Sequence, residues 1–233
     1  MSKLFLIPTT LSNSIDHGVL LEYQLKQLKH LRYFIVETAK IGRAHIKQLN
    51  LETPLQQLDI EELNKHQADL KCLIKPLLSG FDVGLLSDCG LPAVADPGSK
   101  IVRLAHLNNI EVVPLIGPNS LMLALMTSGV NGQSFTFNGY LPIDSAVRKQ
   151  KIMCLQDLII KNQTSQIIIE APFRNQQLLQ SFIELLNDEI TLCLAINLMQ
   201  DNQKIISQTI IQWKTLAELP HIHKEEVVFV LGV

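Results

Sequence analysis

The sequence VGLLSDCGLPAVADPGS, residues 83–99, decides the fold. Its first four residues form an apolar strand, which ends in a loop with two glycines, two prolines and two aspartates. Helical periodicity resumes at Ile101 and Val102. Open α/β sheets bind ligands in the crevice outside the carboxyl ends of their strands. The position of this loop alone therefore predicts a functional site.

The N-terminal half alternates short apolar runs with helical segments. Continuous apolar runs are typical of strands that helices cover on both faces, as in a parallel sheet. These runs span residues 4–7, 34–36, 83–86 and 112–115. Apolar residues at three- and four-residue spacing predict helices at 19–31, 43–49, 61–78 and 100–108. Residues 1–114 are therefore predicted to form an α/β lobe with a mostly parallel sheet.

The second half is predicted to be a separate α+β lobe, residues 121–233, that follows a hinge at 115–120. The segment PLIGPNS, residues 114–120, precedes a helix predicted at 121–128, which Asn119 or Ser120 is suited to cap. Further helices are predicted at 146–160 and 176–186, and strands at 134–141, 166–170, 190–198, 204–209 and 226–231. Strands that follow residue 190 without a long helix between them favour antiparallel pairing and a mixed sheet.

Composition excludes several classes of protein. No apolar run approaches the roughly 20 residues of a membrane span, and the first residues carry no secretory signal, so a cytoplasmic protein without a membrane partner is expected. The four cysteines, Cys72, Cys89, Cys154 and Cys193, contain no C-x-x-C pair, which argues against zinc. His221-x-His223 has no third ligand nearby, so no metal is expected. A net charge of −2 does not indicate general nucleic-acid binding.

The loop at 87–99 lacks the spacings that hold phosphates. Neither G-x-G-x-x-G nor G-x-x-x-x-G-K-[ST] occurs in the chain. Acidic strand-end residues favour a ligand with hydroxyls, an ammonium group or an adenine ring, and S-adenosylmethionine has all three. Two interpretations of Asp96 stay open: an N-cap with Pro97 as the first helical residue, or a ligand contact. Asp88 has no comparable capping role.

Five elements in order resemble the tetrapyrrole methylase superfamily, in its branch of ribosomal RNA small-subunit 2′-O-methyltransferase I-like proteins. Residues 85–98 resemble the motif SDAGxPxISDPG of that branch. The other four are PTTLSN at 8–13, similar to PTPIGN; PLIGPNS at 114–120, similar to PLPGPSA; FNGYLP at 137–142, similar to FxGFLP; and EAPFR at 170–174, similar to EAPHR.

The resemblance implies an S-adenosylmethionine-dependent methyltransferase with a two-lobed tetrapyrrole-methylase-like fold, usually a homodimer. It also implies ribosomal RNA or the small ribosomal subunit as partner. Carried over by position, the residues that would bind the cofactor, in a cleft between the lobes, are Pro8, Ser87, Asp88, Cys89, Gly90, Gly117, Pro118, Ser120, Glu170 and Ala171. Those that would bind substrate are Asn13 and Arg174.

Methyl transfer to a hydroxyl requires removal of a proton, for which a carboxylate is the expected acceptor. Asp88, Glu37 and Glu170 are the catalytic candidates, with Asp16 as a further carboxylate. Asp88 has three open roles: cofactor contact, general base or bracing of the loop. Basic residues at Lys40, Arg43 and Lys47, and at Arg148, Lys149 and Lys151, would either meet phosphate or form solvated faces.

The chain departs from the pattern of the branch at several positions. This chain has Thr10 where the branch has Pro, Ser12 where it has Gly, Cys89 where it has Ala, Leu91 where it has Thr, and Ile116 where it has Pro. It also has Ala39 in place of the Arg of the branch's EDTR segment. Three functions therefore stay open: a methyltransferase acting on ribosomal RNA, a methyltransferase acting on a small, tetrapyrrole-like or other molecule, and a non-catalytic protein that binds S-adenosylmethionine.

Overall fold

The structure, a computed structural model, describes residues 2–12, 18–63 and 70–233. The chain divides into two compact units, Met1–Asn119 and Ser120–Val233. This division falls within the predicted hinge segment, 115–120, whose role as a hinge stays a prediction. No helix in the described residues is both long enough and apolar enough to span a membrane.

The first unit contains a parallel sheet of five strands in the order β3-β2-β4-β1-β5. The strands are β1 (Lys3–Leu6), β2 (Tyr33–Val36), β3 (Asp59–Glu62), β4 (Val83–Leu86) and β5 (Glu111–Pro114). Leu4 of β1 lies opposite Val83 on one side and Val112 on the other. All carboxyl ends therefore lie at one edge, which confirms the predicted parallel sheet.

Helices cover both faces of this sheet. They are α1 (Glu22–Leu28), α2 (Ala39–Gln48), α3 (Lys75–Leu78) and α4 (Ser99–Leu107), with a 3-10 turn at Leu55–Gln57. Neighbouring strand residues belong to different cores: Leu4 packs with Ile101 and Leu77, whereas Phe5 packs with Leu28 and Ile46. Because both faces are buried, the strands carry the continuous apolar runs seen in the sequence.

The helix predicted at residues 61–78 is wrong. Glu61 and Glu62 belong to the edge strand β3, residues 64–69 lie outside the described residues, and helix α3 covers only Lys75–Leu78. The apolar residues that predicted the helix are nevertheless largely buried in one core. Pairing of β3 with β2 therefore outweighs the local helical preference, which is a weak determinant by itself.

The second unit contains a mixed sheet in the order β6-β7-β10-β8-β9. Its strands are β6 (Phe135–Phe137), β7 (Ser165–Ile169), β8 (Thr191–Ile196), β9 (Lys204–Thr209) and β10 (Val227–Gly232). Only β6 and β7 pair in parallel; β10 pairs antiparallel with β7 and β8, and β8 with β9. The predicted mixed sheet is confirmed, although β6 is shorter than the strand expected at 134–141.

Four helices pack in this unit: α5 (Ser120–Ser128), α6 (Ser145–Asn162), α7 (Asn175–Leu185) and α8 (Ile210–Thr215). Asp144 caps α6 by accepting a hydrogen bond from the N–H of Val147 at 2.9 Å. Sequence analysis missed α8, whose Trp213 is buried and donates its indole N–H to the carbonyl oxygen of Leu192. A six-residue helix is too short to show a clear period.

Candidate functional site

Loops after three strands meet at the carboxyl edge of the parallel sheet. The N–H of Thr9, after β1, donates to the carbonyl oxygen of Gly90, after β4, at 2.9 Å. Gly90 has a φ of +76°, a conformation that glycine adopts without the steric cost of a Cβ. The hydroxyl of Ser87 donates to the carbonyl oxygen of Cys89 at 3.2 Å, and Cys89 is exposed.

The loop after β5 joins the same edge. A Cβ added at Gly117 would lie 2.1 Å from the Cβ of Pro8, so only glycine allows this approach. A Cβ at Gly90 would lie 3.6 Å from the carbonyl oxygen of Pro118. The structure thus brings Pro8, Gly90, Gly117 and Pro118 together, as a shared site requires; their role in cofactor binding stays a prediction.

Asp88 is held by the residue that follows β2. Its Oδ1 accepts from the backbone N–H of Thr38 at 3.0 Å, and its Oδ2 accepts from the Thr38 hydroxyl at 2.6 Å. The backbone N–H of Asp88 in turn donates to Oε2 of Glu37 at 3.3 Å. Two of the three catalytic candidates, Asp88 and Glu37, are therefore adjacent, because β2 and β4 are neighbours in the sheet.

His45 lies on α2 and is buried beside the Asp88 loop. Burial lowers the pKa of its imidazole below the ordinary value, although a hydrogen bond with the Asp88 backbone and the charge of Asp88 act in the opposite direction. His45 also borders a cavity of about 60 Å³ lined by Ile7, Pro8, Thr10, Leu25 and Leu86 among others. Neither Thr38 nor His45 was predicted as a site residue.

Asp96 braces the loop rather than capping α4. Both of its carboxylate oxygens accept from the N–H of Ala93 at 2.9 Å, and Oδ1 also accepts from the N–H of Gly98 at 2.6 Å. The predicted N-cap is wrong because α4 begins at Ser99, after an N-cap at Gly98. Burial raises the pKa of the Asp96 carboxyl, and the charges of Glu37 and Asp88 raise it further, against the two N–H donors.

The Asp96 bonds stabilise unusual backbone. Ala93 and Ala95 have φ angles of +67° and +61°, a region that costs a non-glycine residue roughly 1–2 kcal/mol. The carboxylate of Asp96 offsets part of that cost by accepting from the N–H of Ala93. The loop that follows Asp88 is therefore braced by Asp96 at the N–H groups of Ala93 and Gly98.

In the second unit, Glu170 and Arg174 contact each other. Glu170 directly follows β7, and its Oε1 accepts from the Arg174 guanidinium and from the N–H of Ala171, the latter at 2.7 Å. The Arg174 guanidinium carbon lies 5.8 Å from the centroid of the Phe173 ring. Both charged groups are engaged within this unit, while their predicted roles in catalysis, cofactor binding and substrate binding stay predictions. Ser120 begins α5 of the same unit.

Other predicted residues are placed as follows. Asn13 and Asp16 lie outside the described residues. The N–H of Ser12 donates to the hydroxyl of Thr10 at 2.9 Å, and the N–H of Ala39 donates to Oε2 of Glu62 at 2.8 Å. The His221 and His223 rings have centroids 6.2 Å apart. In residues 2–12, 18–63 and 70–233, no group of three or more His, Cys, Asp or Glu residues is placed to hold a metal.

Comparison with known proteins identifies the family. A ribosomal RNA small subunit methyltransferase I from Vibrio cholerae is 32% identical over 217 residues, which cover 93% of this chain and 69% of the relative. The chain belongs to the ribosomal RNA small subunit methyltransferase I family. A member of this family from Bacillus subtilis is 32% identical over 81% of the chain, and the aligned part is 61% of that relative.

The fold agrees with this membership. The crystal structure of the methyltransferase CobJ matches with a TM-score of 0.62 at 12% identity, over 99% of this chain and 93% of that one. The predicted tetrapyrrole-methylase-like fold is thereby confirmed. No family model matches the chain. Relative to several methyltransferase I family members, the chain spans only about three-fifths of their length.

Proposed function

We propose that this methyltransferase binds S-adenosylmethionine at the carboxyl edge of its parallel sheet. One observation carries the proposal: the loops after β1, β4 and β5 meet there, with the carboxylate of Asp88 fixed beside them by Thr38. Ligands of open α/β sheets bind at such an edge. Residues 8–12, 87–98 and 115–119 of the sequence motifs fall on these loops.

The residues present fit this cofactor. The methionine part carries an ammonium group and a sulfonium, and both are complementary to carboxylates such as Asp88 and Glu37. Gly117 allows the loop after β5 to pack directly against the ring of Pro8, so the backbone of that loop, without a side chain at 117, lies at the edge. Backbone N–H and carbonyl groups are typical polar contacts in cofactor sites.

When bound, S-adenosylmethionine supplies an electrophilic methyl group on a positively charged sulfur. The chain has to hold the acceptor oxygen in line with that methyl group and exclude water from the site. We assign the binding role to Asp88, since both of its oxygens are fixed by Thr38. We assign the role of proton acceptor to Glu37, whose Oε2 accepts a longer hydrogen bond, 3.3 Å from the backbone N–H of Asp88, than those accepted by the two oxygens of Asp88.

For the acceptor, we propose ribosomal RNA of the small subunit, with a ribose 2′-hydroxyl as the methylated group. The names of the relatives support this class of acceptor. Helix α2, which begins beside Asp88, also carries the exposed cations Lys40, Arg43 and Lys47. Cationic side chains position a protein on phosphates without reading the sequence. Small ribosomal subunits are cytoplasmic, so we place the reaction there.

We further propose a homodimer, as the family resemblance implies. The second unit exposes large apolar side chains, among them Met126 at 74% and Ile143 at 76%. Exposed apolar groups of this size are typical of contact surfaces when they cluster. Sedimentation equilibrium at micromolar concentration tests the proposal, and a single species of about 26.1 kDa would contradict it.

Calorimetric titration with S-adenosylmethionine tests the cofactor. We expect binding in the micromolar range, and Asp88→Ala should weaken it about tenfold or more, since a charged hydrogen-bonding partner contributes roughly 1.5–3 kcal/mol. Asp201→Ala, an exposed carboxylate of the second unit, is the matched control and should bind like the wild type. No binding up to millimolar cofactor would refute the proposal.

The acceptor needs a separate assay. Radiolabelled methyl transfer should be seen with small ribosomal subunits purified from a strain that lacks the gene, and should be absent with subunits from the parent strain. Labelling of a metabolite extract instead of RNA would favour the small-molecule alternative. Tight cofactor binding without any transfer would favour a non-catalytic binding protein.

A further inference from the structure

Thr38 stands at the start of helix α2, but its hydroxyl does not cap that helix. It is the N-cap of α2, with extended backbone at φ −122° and ψ 125°, yet its side chain makes no capping hydrogen bond. Threonine at this position ordinarily accepts from an N–H of the first turn. Here the hydroxyl instead donates to Oδ2 of Asp88 at 2.6 Å.

The same residue also binds the second oxygen of that carboxylate. The backbone N–H of Thr38 donates to Oδ1 of Asp88 at 3.0 Å. Two donors from one residue fix both the position and the plane of the carboxylate, because rotation of the Asp88 side chain breaks at least one bond. Both are charge-assisted bonds, which are stronger than bonds between neutral groups.

Helix α2 supplies a further contact at the same place. His45 lies two turns after Thr38, where the backbone and the charge of Asp88 act on its pKa, while Glu37 accepts from the Asp88 N–H. The position of Asp88 is thus set by β2 and α2, not by its own loop alone. Thr38 is the member of this group that contacts the carboxylate directly.

We propose that Thr38 is a positioning residue, which orients the carboxylate of Asp88 for S-adenosylmethionine binding. The inference rests on the proposed function of Asp88 and adds to it Thr38, the N-cap residue of α2. Outer partners that orient a binding group commonly change affinity by an order of magnitude when they are removed. We therefore expect loss of the bond from the Thr38 hydroxyl to Asp88 to lower the affinity for the ligand more than it lowers the free energy of unfolding.

The test uses S-adenosylhomocysteine as the probe, with calorimetry on the full chain. Thr38→Val keeps the shape and the backbone N–H but removes the hydroxyl, so affinity should fall about 5- to 20-fold. Thr38→Ser keeps the hydroxyl and should restore affinity to within about twofold of the wild type. Thr127→Val, an exposed threonine on α5, is the control for the substitution itself and should change nothing.

A double-mutant cycle shows whether Thr38 acts through Asp88. In the Asp88→Ala background, Thr38→Val should have less than about a twofold effect, since there is no carboxylate left to orient. Equal binding by Thr38→Val and the wild type would overturn the inference, and so would an effect of the same size in both backgrounds. If the wild type itself fails to bind the probe, the proposed function fails and the inference falls with it.

Discussion

Glu170 and Arg174 form an ion pair that is almost fully removed from solvent, with side-chain exposures of 4% and 18%. Such a pair is costly to break from one side, because the remaining charge stays buried without a partner. The sequence predicts ligand contacts for both residues. Their mutual contact gives them a structural role in the second unit in addition to any role in binding.

Glu170→Gln should therefore destabilise the protein by about 2–4 kcal/mol, since Arg174 would lose its counter-charge in a buried position. Urea unfolding measures this change. The matched control is Asp157→Asn, which breaks an exposed ion pair with Lys161 at 2.9 Å and should cost less than about 1 kcal/mol. Equal costs for the two substitutions would contradict a buried pair.

Gly117→Ala should destabilise the first unit by about 1–3 kcal/mol, because the new methyl group would overlap Pro8 and force the two loops apart. Cofactor affinity should fall with it, because the loop after β5 would move away from the proposed site. The comparison variant is Gly132→Ala, where an added Cβ meets nothing within 4 Å. Urea unfolding and calorimetry on both variants measure these changes.

The buried His45 should make stability depend on pH. Because burial lowers its pKa in the folded state, the unfolded chain binds more protons below the unfolded value of about 6.5. This contribution to stability is present above that pH and is lost as the pH falls. In His45→Gln, the free energy of unfolding should therefore decrease less between pH 7.5 and pH 5.5 than it does in the wild type.

The carboxyls of Asp96 and Glu226 have the opposite effect on the pH dependence of stability. Burial raises the pKa of both carboxyls, so their protonation in the acid range favours the folded state. Their contribution is common to wild type and His45→Gln, and it cancels in the comparison. An identical pH slope for the two proteins would show that His45 is not buried in solution.

Thiol labelling should separate Cys193 from the other cysteines. Burial in the second unit raises the pKa of its thiol to about 11, whereas Cys72, Cys89 and Cys154 are exposed. The thiolate is the reactive form, so iodoacetamide at pH 8 should modify three cysteines in the native protein and the fourth only in urea. Rapid native labelling of Cys193, detected by peptide mass analysis, would contradict its burial.

Sequence patterns predict the strands and helices in which the buried residues follow a regular pattern. Strand β4, with Val83 to Leu86 buried on both faces, is a continuous apolar run, and α4 shows a clear helical period. Strand β3 was missed because its sequence, Asp59–Glu62, is acidic and mostly exposed. An edge strand pairs on one side only, so backbone hydrogen bonds determine it more than side-chain pattern does.

The site was predictable only in part for a similar reason. The loop at 87–98 was identified because glycines, prolines and aspartates stand together in the sequence. The contact of Thr38 with Asp88 joins residues 50 positions apart and depends on β2 lying beside β4. Strand order is a property of the whole sheet, and no local pattern at Thr38 or His45 reports it.

The order of strands also constrains how the chain acquires its structure during synthesis. Strand β1 precedes both of its partners, β4 and β5, so it has no partner until residues 83–86 have left the ribosome. Strand β10 likewise separates β7 from β8, and the second sheet stays split until residues 227–232 emerge. Each sheet therefore closes only after a strand that is distant in sequence has been made, and until then the nascent chain carries unpaired apolar strands.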